Sequence, residues 1–178
     1  MEGDVIMERQ NLILTAVVIL VILLAFIVAM ALSGNNSFQT GQLYFEYPNA
    51  WSQDHITGNF SQGTIYSEVT FKSNFPSANG QDQPAFIILN MQPKPQGLIN
   101  TPNATSLVTN TSNSSTVTVG VSNFTAIQVG SYSQNIAQKT TVIEKNNYYY
   151  TIEYICLPSA LNQTEEAYNQ ILQTFKIV

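Results

Sequence analysis

Charge is scarce in this chain: six Lys and Arg and eleven Asp and Glu make up only 10% of its 178 residues. The basic residues stand singly along the chain. A nucleic-acid surface or a polybasic lipid patch needs clustered Lys and Arg, so neither is expected here. Cys156 is the only cysteine, which excludes an intrachain disulfide, and no cysteine follows the N-terminal apolar run as a lipoprotein anchor would require. His55 is the only histidine. Its neighbour Asp54 would point to the opposite side of an extended chain, so the pair lacks metal-ligand spacing and His55 reads as a loop residue. No Gly-x-Ser-x-Gly elbow and no glycine-rich phosphate loop occurs. The expectation is a protein with no catalytic residues, no cofactor and no metal.

One stretch carries no charge at all. Residues 12–32 are apolar except for Thr15, and 21 residues of helix measure roughly 31 Å, the thickness of bilayer hydrocarbon. Ala29-Met30-Ala31 resembles a signal-peptidase site. Yet the run is longer than the roughly 7–15 residues of a signal h-region, and residues 1–11 hold Glu2, Asp4 and Glu8 against Arg9. An uncleaved transmembrane helix over 12–32 in contact with membrane lipid is expected, after a short cytoplasmic N-terminus over 1–11. Arg9 on one flank, and no Lys or Arg on the other before Lys72, favours the N-terminus inside.

Asn-x-Ser/Thr sequons begin at Asn35, Asn59, Asn103, Asn110, Asn113, Asn123 and Asn162, all after the apolar run. A chain this rich in Ser, Thr and Asn makes some by chance, but their one-sided placement fits an extracytoplasmic, glycosylated domain. Residues 33–178 suffice for one domain with a core. They carry five lysines against eight acids.

Residues 33–41 read as a flexible stalk and 42–178 as the domain. Leu43, Phe45 and Tyr47 alternate with Tyr44 and Glu46 up to Pro48, which is a strand pattern. Ile65, Val69 and Phe71 alternate with Tyr66, Glu68, Thr70 and Lys72 in the same way. Ala85–Leu89 is continuously apolar, as a central strand covered on both faces would be. Thr101-Pro102 can open a short helix that buries Ala104, Leu107 and Val108. Residues 109–116 read as an exposed loop, and 117–121 and 124–129 as strands around Gly120. Residues 140–145 and 148–157 flank Asn146-Asn147, a pair suited to a tight hairpin. Cys156 falls on one face of this second strand with Tyr150, Ile152 and Tyr154 and reads as a buried structural thiol. Asn162–Thr164 is expected to cap a closing helix with Glu165 and Glu166 in its first turn, and with Ala167, Ile171, Leu172 and Phe175 facing the sheet.

The order Phe45-Glu46-Tyr47-Pro48-x-x-Trp51, a central apolar strand, Val142–Ile152 and the closing Ala167–Lys176 helix resembles the PsbP-like family, named for an extrinsic subunit of photosystem II. The similarity spans residues 38–178. It implies an α+β fold, a twisted antiparallel β-sheet covered by helices in an α-β-α sandwich, and a role in binding or assembly. The membrane anchor and the Ser/Thr/Asn-rich middle loop depart from the plant subunits, and nothing in the chain supports a photosynthetic role.

Trp51 and the run Tyr148, Tyr149 and Tyr150 are the candidate interaction surface, since Tyr and Trp suit interfaces that are half wet and half dry. Core packing is the competing reading for all four, with Trp51 closing one end of the core. The expected function is a membrane-anchored extracytoplasmic module that binds an envelope protein partner. Two alternatives stand beside it. Gly3, Glu8 and the apolar helix resemble the processed end of type IV pilins, although Asp4, Arg9, Gln10 and Asn11 interrupt the apolar run. An envelope hydrolase would need a pocket gathering Asp54, Glu68 and Asp82.

Overall fold

Asn146 and Asn147 adopt φ of 51° and 62°, the left-handed values that a two-residue hairpin turn demands and asparagine tolerates. They join β8 (Ala137–Lys145) to β9 (Tyr148–Cys156), which lie at the middle of the domain. A computed structural model describes residues 17–24, 34–76, 80–95 and 114–178. Residues 17–24 are helical, while the rest of the 12–32 run lies outside the described residues. Among the described residues no helix is long and apolar enough to cross a membrane. Residues 1–34 and 35–178 form separate units. The expected helix from Thr101 and the sequons at Asn103, Asn110 and Asn113 also lie outside the described residues.

The larger unit is a mostly-sheet α+β fold. Among the described residues its strands are β1 (Asn35–Thr40), β2 (Leu43–Pro48), β3 (Ser52–Thr57), β4 (Ser67–Pro76), β5 (Asp82–Pro93), β6 (Ser114–Val119), β7 (Phe124–Tyr132), β8, β9 and a short β10 (Lys176–Ile177). Seven form an antiparallel-paired sheet in the order β3-β4-β5-β9-β8-β7-β6, and the other three a small sheet in the order β1-β2-β10. A 3₁₀ turn, Pro158–Ala160, leads into helix α1, Leu161–Thr174.

Strand periodicity decides what each face buries. In β9, Tyr150, Ile152, Tyr154 and Cys156 share one buried face, as the sequence pattern predicts. Through the register that face continues into Ile87, Leu89 and Met91 of β5 and Val69 and Phe71 of β4. The small sheet and α1 pack onto it. Phe71 meets Phe45 at 5.4 Å and Tyr47 at 4.5 Å between ring centroids, and Tyr154 stacks on Tyr168 of α1 at 5.5 Å. Gly120, at φ +72°, packs against the backbone of Phe175 so closely that a Cβ would not fit. Its N–H donates to Leu172 O at 2.6 Å, which fixes the end of α1 to the β6–β7 turn.

Five expectations need correction. Residues 35–40 are strand β1, paired with β2 along its length and burying Phe38, so the stalk reading fails there. Residues 114–116 belong to β6 and not to a loop. Ile65 is exposed, because β4 begins only at Ser67. The helix starts at Leu161, on the 3₁₀ turn, so no side chain of Asn162–Thr164 caps it and Glu165 and Glu166 fall beyond its first turn. Thr164 instead turns inward and donates to Ala160 O at 3.0 Å. In β5, Ala85, Ile87 and Leu89 are buried while Phe86 and Ile88 are half-buried, so the strand is covered fully on one face only.

Candidate binding groove at the β8–β9 hairpin

The aromatic residues singled out in the sequence are packed inside. Trp51, Tyr148, Tyr149 and Tyr150 are all buried, which corrects the candidate interaction surface in favour of the core-packing reading. Trp51 lies beside Phe75 at 6.1 Å and closes one end of the core. The register places Tyr149 on the face opposite Tyr148 and Tyr150. There Lys94 Nζ stands 5.6 Å from the ring centroid while pairing with Glu144, and the Tyr149 hydroxyl has no partner among the described residues. Burial raises the Tyr149 pKa, with Lys94 acting against the rise.

Tyr148 does more than pack. Its hydroxyl accepts a 2.7 Å hydrogen bond from Gly63 N–H, tying the 58–66 loop to the hairpin. Around this bond, Gln62, Gly63, Pro93, Asn146, Asn147 and Tyr148 line an open groove of about 560 Å³. Three strand ends meet there. Lys94 N–H donates to Asn147 O at 2.8 Å, holding the end of β5 against the turn.

The far wall is equally fixed. Phe60, at φ 50°, is fully buried. Its N–H donates to Ser67 Oγ at 3.0 Å, and its carbonyl accepts from Gln42 N–H at 3.0 Å. Asn59 Oδ1 accepts from Ser61 N–H at 3.2 Å and from Thr64 Oγ1 at 2.7 Å. The loop is thus pinned by one ring and several hydrogen bonds, and its walls are set before anything binds.

The groove offers amide, hydroxyl and backbone groups, and among the described residues its lining includes no Asp, Glu, His or Cys. Such a lining can hydrogen-bond a polar segment, but it lacks the base–nucleophile pair of covalent catalysis. Among the described residues no three His, Cys, Asp or Glu side chains gather where they could hold a metal. His55 is exposed on β3, its Nε2 2.8 Å from Thr57 Oγ1. A register shift between Gln53 and His55 leaves Asp54 unpaired in the ladder. The hydrolase triad is not assembled: Glu68 and Asp82 face Asn90 and Pro76, at opposite ends of the β4–β5 ladder. Cys156 is buried, 3.0 Å from the Tyr154 hydroxyl.

Sequence reasoning singled out Tyr148 but missed Gln62, Gly63 and Pro93. Only the Asn-Asn hairpin signal pointed to this end of the molecule. Of the four described sequon asparagines, Asn35, Asn59, Asn123 and Asn162 are all exposed.

No family profile and no curated protein matches the chain. Among solved structures, the chain is similar to cyanobacterial PsbP (CyanoP) from Synechocystis sp. PCC 6803, at 10% identity and TM-score 0.47, over 82% of this chain and 92% of that one. It is also similar to LpqN, involved in cell envelope biogenesis of Mycobacterium tuberculosis, at 19% identity and TM-score 0.43, over 80% of this chain and 91% of that one.

Proposed function

We propose that this chain is a membrane-anchored, non-enzymatic module whose domain lies outside the cytoplasm and holds a polar segment of an envelope protein partner at the β8–β9 hairpin. The observation that carries the reading is the groove itself: preformed, lined by amides and backbone, and without an acid–base or nucleophilic pair. Its size falls within the range of ligand sites, yet it is open and polar, which suits a surface segment of a partner better than an enclosed apolar ligand. The apolar run 12–32, single-pass with the N-terminus inside, supports the anchor. The sequons after it support an external, glycosylated surface.

Site-specific photocrosslinking of the full chain in intact native membranes tests this reading. A crosslinker at Gln62 should yield one discrete non-self adduct that is absent when it is placed at Glu166, on the exposed side of α1. Equal yields at both positions would overturn the groove. Adducts only with other copies of this chain would move the assignment to a filament subunit.

A further inference from the structure

Three side-chain amides line the hairpin groove from two separate loops: Gln62 from the 58–66 loop, and Asn146 and Asn147 from the turn. All three residues are exposed, and among the described residues none of the three side chains has a hydrogen-bond partner. Asn59 in the same loop differs, since its amide oxygen is engaged by Ser61 N–H and Thr64 Oγ1. The turn fixes where the two asparagines stand, because φ of 51° and 62° holds their backbone in one left-handed geometry. Tyr148 adds a fourth group. Its hydroxyl accepts from Gly63 N–H and so keeps its own proton to donate.

A side-chain amide both donates and accepts, and a peptide group offers one donor and one acceptor. The lining therefore matches main chain in both senses. Gly63 stands at φ +86° with nothing within 4 Å of where a Cβ would sit, so another backbone can approach the loop closely there. A charged segment would find no counter-ion in the lining. The charges nearest in sequence are engaged elsewhere: Lys94 pairs with Glu144 on the Tyr149 face, and Lys145 Nζ lies 5.7 Å from the Phe124 ring centroid. Sugars are commonly held by an open aromatic face, and Tyr148 offers none. It is only 8% accessible, with its ring 6.5 Å from that of Tyr150 and its hydroxyl turned to Gly63.

We infer that the groove reads the main chain of an uncharged, extended segment of the partner, with Gln62, Asn146 and Asn147 pairing with its peptide groups and the Tyr148 hydroxyl donating to one of its carbonyls. The inference deepens the binding reading above and rests on it. Recognition of this kind tolerates changes in the partner's side chains. It is also insensitive to salt, since no ion pair forms across the contact.

The test places a photocrosslinker at Pro93, which lines the groove without an amide side chain, in the full chain in intact native membranes. The comparison is the same chain carrying Asn146→Gly and Asn147→Gly. Glycine accepts the left-handed turn, so this variant removes two amides and keeps the hairpin. Gln62→Ala serves as a second variant should the double one melt early. The unsubstituted groove should give one discrete non-self adduct, unchanged in yield by high salt and several-fold weaker in the variant. Mass spectrometry should map it to a stretch free of Asp, Glu, Lys and Arg. A synthetic peptide of that stretch should bind the full chain, and bind several-fold more weakly once its main-chain N–H groups are methylated. Equal adduct yield in the variant, loss of the adduct at high salt, or indifference to methylation would each overturn the inference and leave the binding reading standing. An adduct borne by a glycan would put a sugar in the groove and overturn both. No adduct from the unsubstituted groove would defeat both as well.

Discussion

Gln42 Nε2 donates a 2.7 Å hydrogen bond to the Tyr150 hydroxyl, joining the β1–β2 turn of the small sheet to the central strand of the large one. Both side chains are buried, and the same amide lies 3.4 Å from Met91 Sδ. The bond locks the two sheets at the hairpin end, directly behind the loop that forms the groove wall.

Gln42→Ala would leave the Tyr150 hydroxyl in the core without this donor. The expected loss is about 1–3 kcal/mol, the cost of stranding a buried polar group. Tyr150→Phe should cost less, about 1 kcal/mol, because the Gln42 amide keeps Met91 as a weak acceptor. A double-mutant cycle read by urea denaturation should show a coupling of about 0.5–3 kcal/mol, as for residues in one network. Additive losses would show that the bond contributes nothing.

The hairpin turn invites a contrast of substitutions. At Asn147, φ is 62°, a region closed to β-branched side chains but open to glycine. Asn147→Gly should be close to neutral, and Asn147→Val should cost about 1–2 kcal/mol. Thermal melts would settle the ranking, since only a destabilising Val and a tolerated Gly fit a left-handed turn.

These examples also show what sequence patterns reveal and what they hide. The hairpin was legible because positive φ leaves its mark in residue choice, β4 and β9 because burying one face imposes period two, and β5 from its continuous apolar run. Strand β1 was not, since Asn-Asn-Ser-Phe-Gln-Thr sends only Phe38 inward. Strand β3 is exposed at every residue and is held by its ladder to β4 alone, so its sequence carries no burial pattern at all. Tyr168 falls four residues before Leu172 on the buried face of α1, and its spacing could have revealed it. The groove draws on residues 62–63, 93 and 146–148, which only the β5–β9–β8 register brings together.

Buried tyrosines should make the domain sensitive to alkali. Burial pushes the hydroxyls of Tyr150 and Tyr168 up to about 12 from an ordinary value of 10, and raises that of Tyr154 as well. Below pH 10 both folded and unfolded chains keep these protons, and the full stability is present. From pH 10 to about 12 the unfolded chain loses them first, so it binds fewer protons and stability falls as pH rises. Each tyrosine contributes a slope of up to about 1.4 kcal/mol per pH unit across that window. Urea midpoints measured from pH 9 upward should fall steadily. Tyr168→Phe should be less stable at pH 9, because Thr141 and Gln128 lose their partner, yet decline more gently above pH 10. An unchanged slope would show that Tyr168 is not held protonated by the fold.

Glycan occupancy should separate the described sequons by how their hydroxyls are engaged. Asn123 lies exposed in the β6–β7 turn at φ 53°, and Asn59 lies in an exposed loop before Ser61. Asn162 differs although it too is exposed. It sits in the first turn of α1, and Thr164, which completes its sequon, is buried with its hydroxyl bonded to Ala160 O and to the Tyr154 hydroxyl. A transferase acting on the folded chain needs the Ser or Thr hydroxyl accessible, and exposing Thr164 would break a buried network and leave polar groups unpaired. Glycopeptide mass spectrometry of the native protein should therefore find sugar at Asn59 and Asn123 and none at Asn162. Replacing Tyr154 by Phe would remove one of the bonds holding Thr164, yet Asn162 should remain bare because the helix itself keeps the hydroxyl on Ala160. Modification at Asn162 in the wild-type chain would mean that the sugar is attached before α1 forms.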